Sequence, residues 1–358
     1  MHFYESSVIT TKDGLHCQVY GNEHPEGGIL IKPKYVPTDK IESSALQYRF
    51  IWGKKMNRLD LWAEKKSLAQ YIQKFRNAYP QYIYQSELHG KERLFFWVPQ
   101  ERIEREYFPR TGLSELMSMP KKDLDSHLAA VYKFVEFLLQ SGLRLKDLGV
   151  TYSTLMSHYS FNVSDINIVV YGKKNFWTLM QYMESAKHPS LRWKSEKEWL
   201  EFYQKRNRSN IFEKNTFLSH MISKKKSEGY FDGLLFVIFA AEKEDETWFK
   251  WGEEKYTPLG IAEVQGTVKD HHSSVVRPGC YEITGSQLIG LKNDFDVRKV
   301  VFYSRDYTLL AFEGEKISAR GILEKVEPKN KQPYYRIVTG YFDSYITERR
   351  EQEFIKVI

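Results

Sequence analysis

Cys17 and Cys280 are the only two cysteines in a chain of 358 residues. They are too far apart for a metal motif and too few for a secreted disulfide scaffold, so two reduced, partly buried thiols are expected. No run approaches the roughly 18 uninterrupted apolar residues that a membrane span needs. The first residues, "MHFYESSVITTKDG", show neither a basic n-region nor an apolar h-region. A cytoplasmic protein without membrane contact is therefore expected. Ser-His-Asp, Walker and dinucleotide signatures are missing: "GSQLIG" has no lysine, and "YGNEHPEGG" has no strand–helix context. His271-His272 has no nearby cysteine or suitably spaced acid, and reads as a loop pair, not a metal site.

Core-forming material is ample. Hydrophobic residues make up 42% and aromatics 15% of the chain, which marks it as globular. Its length exceeds what one core usually organises, so two or three domains are expected. Lysine and arginine number 53 against 46 acidic residues, a net charge of +7 that tilts the partner question toward polyanions. The 24 Tyr, 22 Phe and 8 Trp include rings that could stack on bases, although most belong to cores.

Read in order, "SVITTKDGLHCQVYG" places Asp13-Gly14 between two β-rich runs, a hairpin signal. "GGILIKPKYVP" reads as a strand closed by Pro37. Leu61, Leu68, Ile72 and Phe75 give a helical stripe that stops at Pro80, and "ERLFFWVP" reads as a strand. These pieces form an N-terminal α/β unit over 1–112. In 113–252 a core-facing helix shows Leu128, Val131, Val135, Leu138 and Leu139 on one face, capped by Asp125 or Ser126 and ended by Gly142. "LKDLGVTYS" then leads through a short strand and turn, "INIVVYG" is a strand, and Phe176, Leu179, Met180 and Met183 mark a second amphipathic helix. "LLFVIFAA" at 234–241 reads as a strand buried on both faces. Glycine-punctuated β segments fill 253–358 and suggest a small barrel or sandwich.

Two residues two apart on a strand share a face, so in "SDINIVVYG" Asp165 and Asn167 present their side chains together while Ile166, Ile168 and Val170 turn inward. Upstream, "GVTYSTLM" joins a strand end to a short helix whose free N–H groups would suit a phosphate. The spacing from Ser153 to Asp165 lets both face one pocket. Taken alone, S-D-hydrophobic-N before an apolar run is an ordinary strand entrance.

The span 149–172 resembles the polymerase β-type nucleotidyltransferase pattern, a Gly-Ser pair at a helix start followed by Ser-Asp-hydrophobic-Asp on the next strand. The chain as a whole resembles an archaeal family of predicted nucleotidyltransferases, through "TTKDGLHCQVYGNEHP", "YTPLGIAEVQGTV", "RPGCY" and "ARGILEKVEPKNKQPYYRIVTG". The resemblance implies a nucleotidyltransferase-like central domain between an N-terminal α/β unit and a C-terminal β-barrel-like domain. It also implies a site at Ser153, Asp165 and Asn167, with Mg²⁺ held by Asp165 if the site is active. Two signature positions depart from the pattern: Tyr152 stands at the glycine and Asn167 at the second carboxylate. Such enzymes use a third carboxylate on a later strand, and "LLFVIFAA" contains none; Asp232 precedes it in a turn. Two-metal phosphoryl transfer needs several anionic oxygens, and asparagine offers a carbonyl without charge. The expectation is thus a degenerate, non-catalytic relative that binds nucleic acid, RNA before DNA, within a ribonucleoprotein such as the ribosome. An active Mg²⁺-dependent enzyme using Asp165 and a protein-interaction scaffold stand as alternatives.

Two basic stretches are candidates for phosphate contact. Lys205, Arg206, Arg208, Lys214, Lys224, Lys225 and Lys226, interleaved with Trp193, Trp199, Tyr203 and Phe212, either track a phosphate backbone or form a solvated helix face over core aromatics. Lys325, Lys329, Lys331 and Arg336, with Tyr334 and Tyr335, belong to a hairpin that either meets nucleic acid or is an ordinary exposed loop.

Overall fold

At the expected hairpin, Gly14 takes a φ of +80° and joins β1 (Val8–Thr11) to β2 (His16–Val19) as antiparallel neighbours. Glycine adopts that left-handed conformation without a Cβ clash. The computed structural model describes residues 1–41, 48–59, 65–90, 93–161, 163–205, 213–290 and 295–358. Six further strands complete the first sheet: β3 (Gly28–Pro37), β4 (Tyr48–Ile51), β5 (Lys54–Arg58), β6 (Ile83–Tyr84), β7 (Phe95–Pro99) and β8 (Ile103–Tyr107). Its order is β4-β5-β3-β2-β1-β8, with β7 pairing β3 and β6 pairing β7. Helix α1 (Lys65–Ala78) buries Leu68, Tyr71, Ile72 and Phe75 in the core of this sheet, at the i, i+3, i+4, i+7 spacing of one helical face. Leu61, expected to open that stripe, lies outside the described residues.

The middle of the chain begins with α2 (Pro109–Ser118) and α3 (Ser126–Leu139). Asp125 caps α3, its side chain accepting from the Leu128 N–H at 2.9 Å, which satisfies one of the donors a helix start leaves open. The chain continues through β9 (Leu148–Val150), α4 (Tyr152–Leu155), β10 (Ile166–Tyr171), α5 (Lys173–Ser185), β11 (Leu191–Trp193), α6 (Glu196–Lys205), α7 (Lys214–Lys224), β12 (Glu228–Phe231) and β13 (Leu234–Ala241). The second sheet runs β11-β12-β13-β10-β9, with β10 parallel to β13 and antiparallel to β9. One face packs through Ile166, Ile168, Val170, Phe236, Ile238 and Ala240 against the apolar faces of α3 and α5. The expectation that β13 is buried on both faces is corrected: Leu235, Val237 and Phe239 are only half-buried. Among the described residues α3 and α5 cover one face of the sheet, and the other side carries the candidate site.

The third sheet comprises β14 (Glu254–Asp270), β15 (Gly279–Leu288), β16 (Val297–Phe302), β17 (Lys316–Pro328), β18 (Tyr334–Thr339) and, after α8 (Arg349–Gln352), β19 (Phe354–Val357). Its order is β14-β15-β16-β18-β17-β19, and β14 also pairs β17 along thirteen positions. The fold is mixed α/β, with three sheets and, among the described residues, eight helices. None of those helices is long and apolar enough to cross a membrane. The cores do not respect the sheets. Trp199, Tyr203, Phe217, Leu218 and Met221 of α6 and α7 sit in the core of the third sheet, while Tyr303, Val338, Tyr341 and Phe342 join that of the first.

Candidate functional site

Residue alternation on β10 sends Ile166, Ile168 and Val170 to the helices and leaves Asn167, Val169 and Tyr171 on the opposite face. Asp165, half-buried, precedes the strand, and the Asn167 carboxamide donates back to the Asp165 carbonyl at 3.2 Å. The chain leaving β9 returns beside it, where the Thr151 N–H donates to the Asn167 carbonyl at 3.0 Å. Ser153 follows two residues later, half-buried, its carbonyl accepting from the His158 N–H at 3.0 Å. Loop and strand are thus adjacent at Thr151 and Asn167. The helix expected to offer phosphate-binding N–H groups is the four-residue α4, a single turn with little summed dipole.

Tyr152 has a φ of +57°, in the left-handed region that glycine occupies freely and a bulky residue occupies under strain. Its ring lies edge-on to Phe239 at 5.5 Å between centroids, with the Lys34 ammonium over it at 4.5 Å.

Cross-strand register identifies an acid that sequence reasoning missed. Glu228 of β12 lies opposite Val237, which lies opposite Asn167, so all three share a face. Glu228 is neutralised by Lys194 at 2.7 Å, whose ammonium also lies over the Trp199 ring at 4.4 Å. Asp232, the acid that the sequence offered, has its carboxylate on Lys133 of α3 at 3.1 Å, away from Asp165. Among the described residues no three His, Cys, Asp or Glu side chains converge as ligands for a metal ion.

Cations dominate the surroundings of Asp165. Burial raises its carboxyl above the ordinary range; Lys194, Arg58 and Lys34 pull it back, and Glu228 adds to the rise. Burial brings Lys34 down to about 7, aided by Arg58 and Lys32. His158 is pushed down to about 4 by burial, with Lys34 and His16 adding to the effect, and His16 likewise by burial and Lys54. Nδ1 of His16 is buried without a partner, and the His158 ring is half-buried beside it. With Lys34 and Tyr152 they line a gap of about 10 Å³, too small for more than one water. Behind Phe239, the Arg305 guanidinium stacks on the ring at 3.8 Å and reaches Glu5 at 2.8 Å. The cluster draws on the first two sheets and on Arg305 in the turn after β16, and its members outside the second sheet, such as Lys34 and Arg305, lie too far from "SDINIVVYG" in sequence for any local motif to reveal them.

The two basic stretches are placed unevenly. Arg206, Arg208 and Phe212 lie outside the described residues. Lys205 and Lys214 are exposed, but Lys224 is paired with Glu315 at 2.5 Å and Lys226, just past α7, donates to the Ile222 carbonyl of that helix. Lys225 is corrected as a surface contact: it is 8% exposed and donates to the Arg305 and Thr308 carbonyls. Arg336 is corrected as well, being 1% exposed, paired with Glu324 at 2.9 Å and stacked on Tyr256. A charge held that way cannot reach a phosphate. Lys329 and Lys331 are exposed beside the β17–β18 turn. Trp199, Tyr203 and Tyr334 are core residues, which leaves half-buried Trp193 and Tyr335 as the described rings of those stretches nearer solvent.

Comparison with known proteins finds an uncharacterized protein of the archaeon Methanocaldococcus jannaschii, 28% identical over 355 residues and spanning 96% of this chain and 98% of that protein. No protein-family description matches the chain, and no solved structure does.

Proposed function

We propose that the chain is a nucleotidyltransferase-like protein that has lost metal-dependent transfer and binds nucleic acid, RNA in preference to DNA, within a ribonucleoprotein. The observation that carries this reading is the inverted charge of the site. Asp165 is one carboxylate within electrostatic reach of Lys194, Arg58 and Lys34, with Asn167 turned onto the strand backbone and Glu228 held by Lys194. Magnesium requires several anionic oxygens to displace its water, whereas this arrangement suits an incoming phosphate. The descent from a nucleotidyltransferase is supported by the order α3-β9-α4-β10-α5-β13 around a mixed sheet and by the glycine-like backbone kept at Tyr152. The preference for RNA follows from the half-buried apolar floor of Val237 and Phe239 beside the cations. Such a surface takes an unpaired base and its phosphate more readily than a duplex.

Fluorescence anisotropy with a labelled single-stranded RNA at moderate salt tests this. Binding is expected, weakened about tenfold in the double variant Lys34→Gln, Arg58→Gln, with no nucleotide incorporated in the presence of Mg²⁺ or Mn²⁺. Absence of RNA affinity removes the reading. Metal-dependent incorporation that Asp165→Ala abolishes restores the enzyme in its place.

A further inference from the structure

A second charged site lies away from the nucleotidyltransferase-like sheet and does not depend on the reading above. Between α1, the β6–β7 region and the segment after Tyr341 there is a cleft of about 400 Å³ whose lining includes Arg76, Arg93, Arg349, Gln85, Ile346 and Asp343. Arg93 and Arg349 both meet the Asp343 carboxylate, and the exposed Arg76 lines the same cleft. Arg93 is 4% and Asp343 7% exposed. Arg93 Nη1 meets Asp343 Oδ2 at 2.7 Å, and Arg349 donates to the same oxygen. Sharing one oxygen leaves Arg93 Nε and Asp343 Oδ1 buried with no partner. Glu353, within electrostatic reach of Arg349, is pushed up to about 7 by burial and so offsets only part of that charge.

Net positive charge in a poorly hydrated place is costly unless an anion joins it. The guanidinium fork matches the oxygens of a phosphate bidentately, and the unpartnered Asp343 oxygen accepts from a hydroxyl on the same ligand. We infer that this cleft binds a small phosphomonoester carrying a neighbouring hydroxyl, with Arg76, Arg93 and Arg349 on the phosphate and Asp343 on the hydroxyl.

Isothermal titration of the full chain at low ionic strength with ribose 5-phosphate, inorganic phosphate and ribose tests it. Ribose 5-phosphate binds most tightly, inorganic phosphate more weakly and ribose not at all. Arg93 is too buried to replace safely, so the variants are Arg76→Gln at the exposed rim and Arg349→Gln, each checked for native circular dichroism. Arg349→Gln lowers affinity for ribose 5-phosphate about tenfold and Arg76→Gln by a smaller factor. The inference is overturned if neither phosphate gives binding heat at millimolar concentration, or if both variants bind as the parent does.

Discussion

Lys34 shows how one side chain records the electrostatics of the site. Its amine lies over Tyr152 with Arg58 and Lys32 nearby, and burial holds it at about 7, whereas a lysine in an unfolded chain keeps its proton to about 10.4. Between those values the unfolded chain binds more protons than the folded one, so stability rises with pH across that window. The charged amine therefore weakens the fold fully below pH 7 and ceases to do so near pH 10. Lys34→Met is expected to stabilise the protein by about 1–2 kcal/mol at pH 6, with the gain fading toward pH 10. Urea unfolding at the two pH values measures it, and an equal effect at both would remove the titration from the explanation. The same residue escaped sequence reading because a lysine in "IKPKY" looks like any solvated strand residue until Asp165 is folded against it. Arg336 misled in the opposite sense: its partner Glu324 lies twelve residues away across the β17–β18 hairpin, so a buried ion pair read as a basic loop.

Elements were more legible than charges. Helix α3 followed from apolar spacing, cap and terminating glycine, and α5 from apolar spacing alone, because those signals are local. The strand β10 and the loop before it followed for the same reason. The open face of β13 did not, since eight apolar residues in a row cannot say which side a helix will cover. Packing between elements is set by positions that carry no motif at all. Gly149 in β9 is one: a Cβ there would sit 2.7 Å from the Pro109 backbone and 2.9 Å from the Arg110 nitrogen. Gly149→Ala must push α2 off the strand that leads into Tyr152 and Ser153, costing about 2 kcal/mol or more. Thermal melts of this variant beside an alanine substitution at exposed Ser157 give the check; equal melting points would show that β9 and α2 separate freely.

On the scale of the molecule, the three sheets share their interiors. Cys17 and Cys280, drawn from the first and third, lie in one cluster, while Val275, Val276 and Leu309 complete the core of the second. The shared clusters imply that the segments divided near 112 and 252 melt together. A single calorimetric transition is expected for the whole chain, and fragments 1–112 and 253–358 made separately should show no cooperative melt. Two resolved transitions would mean that the shared cores contribute little. Glu5, 1% exposed, binds Arg277 at 2.9 Å and Arg305 at 2.8 Å. During synthesis its carboxylate emerges some three hundred residues before the second of these guanidiniums, so the wall formed by Glu5, Arg305 and Phe239 closes only late in translation, and a chain halted before then leaves that carboxylate short of a counter-charge.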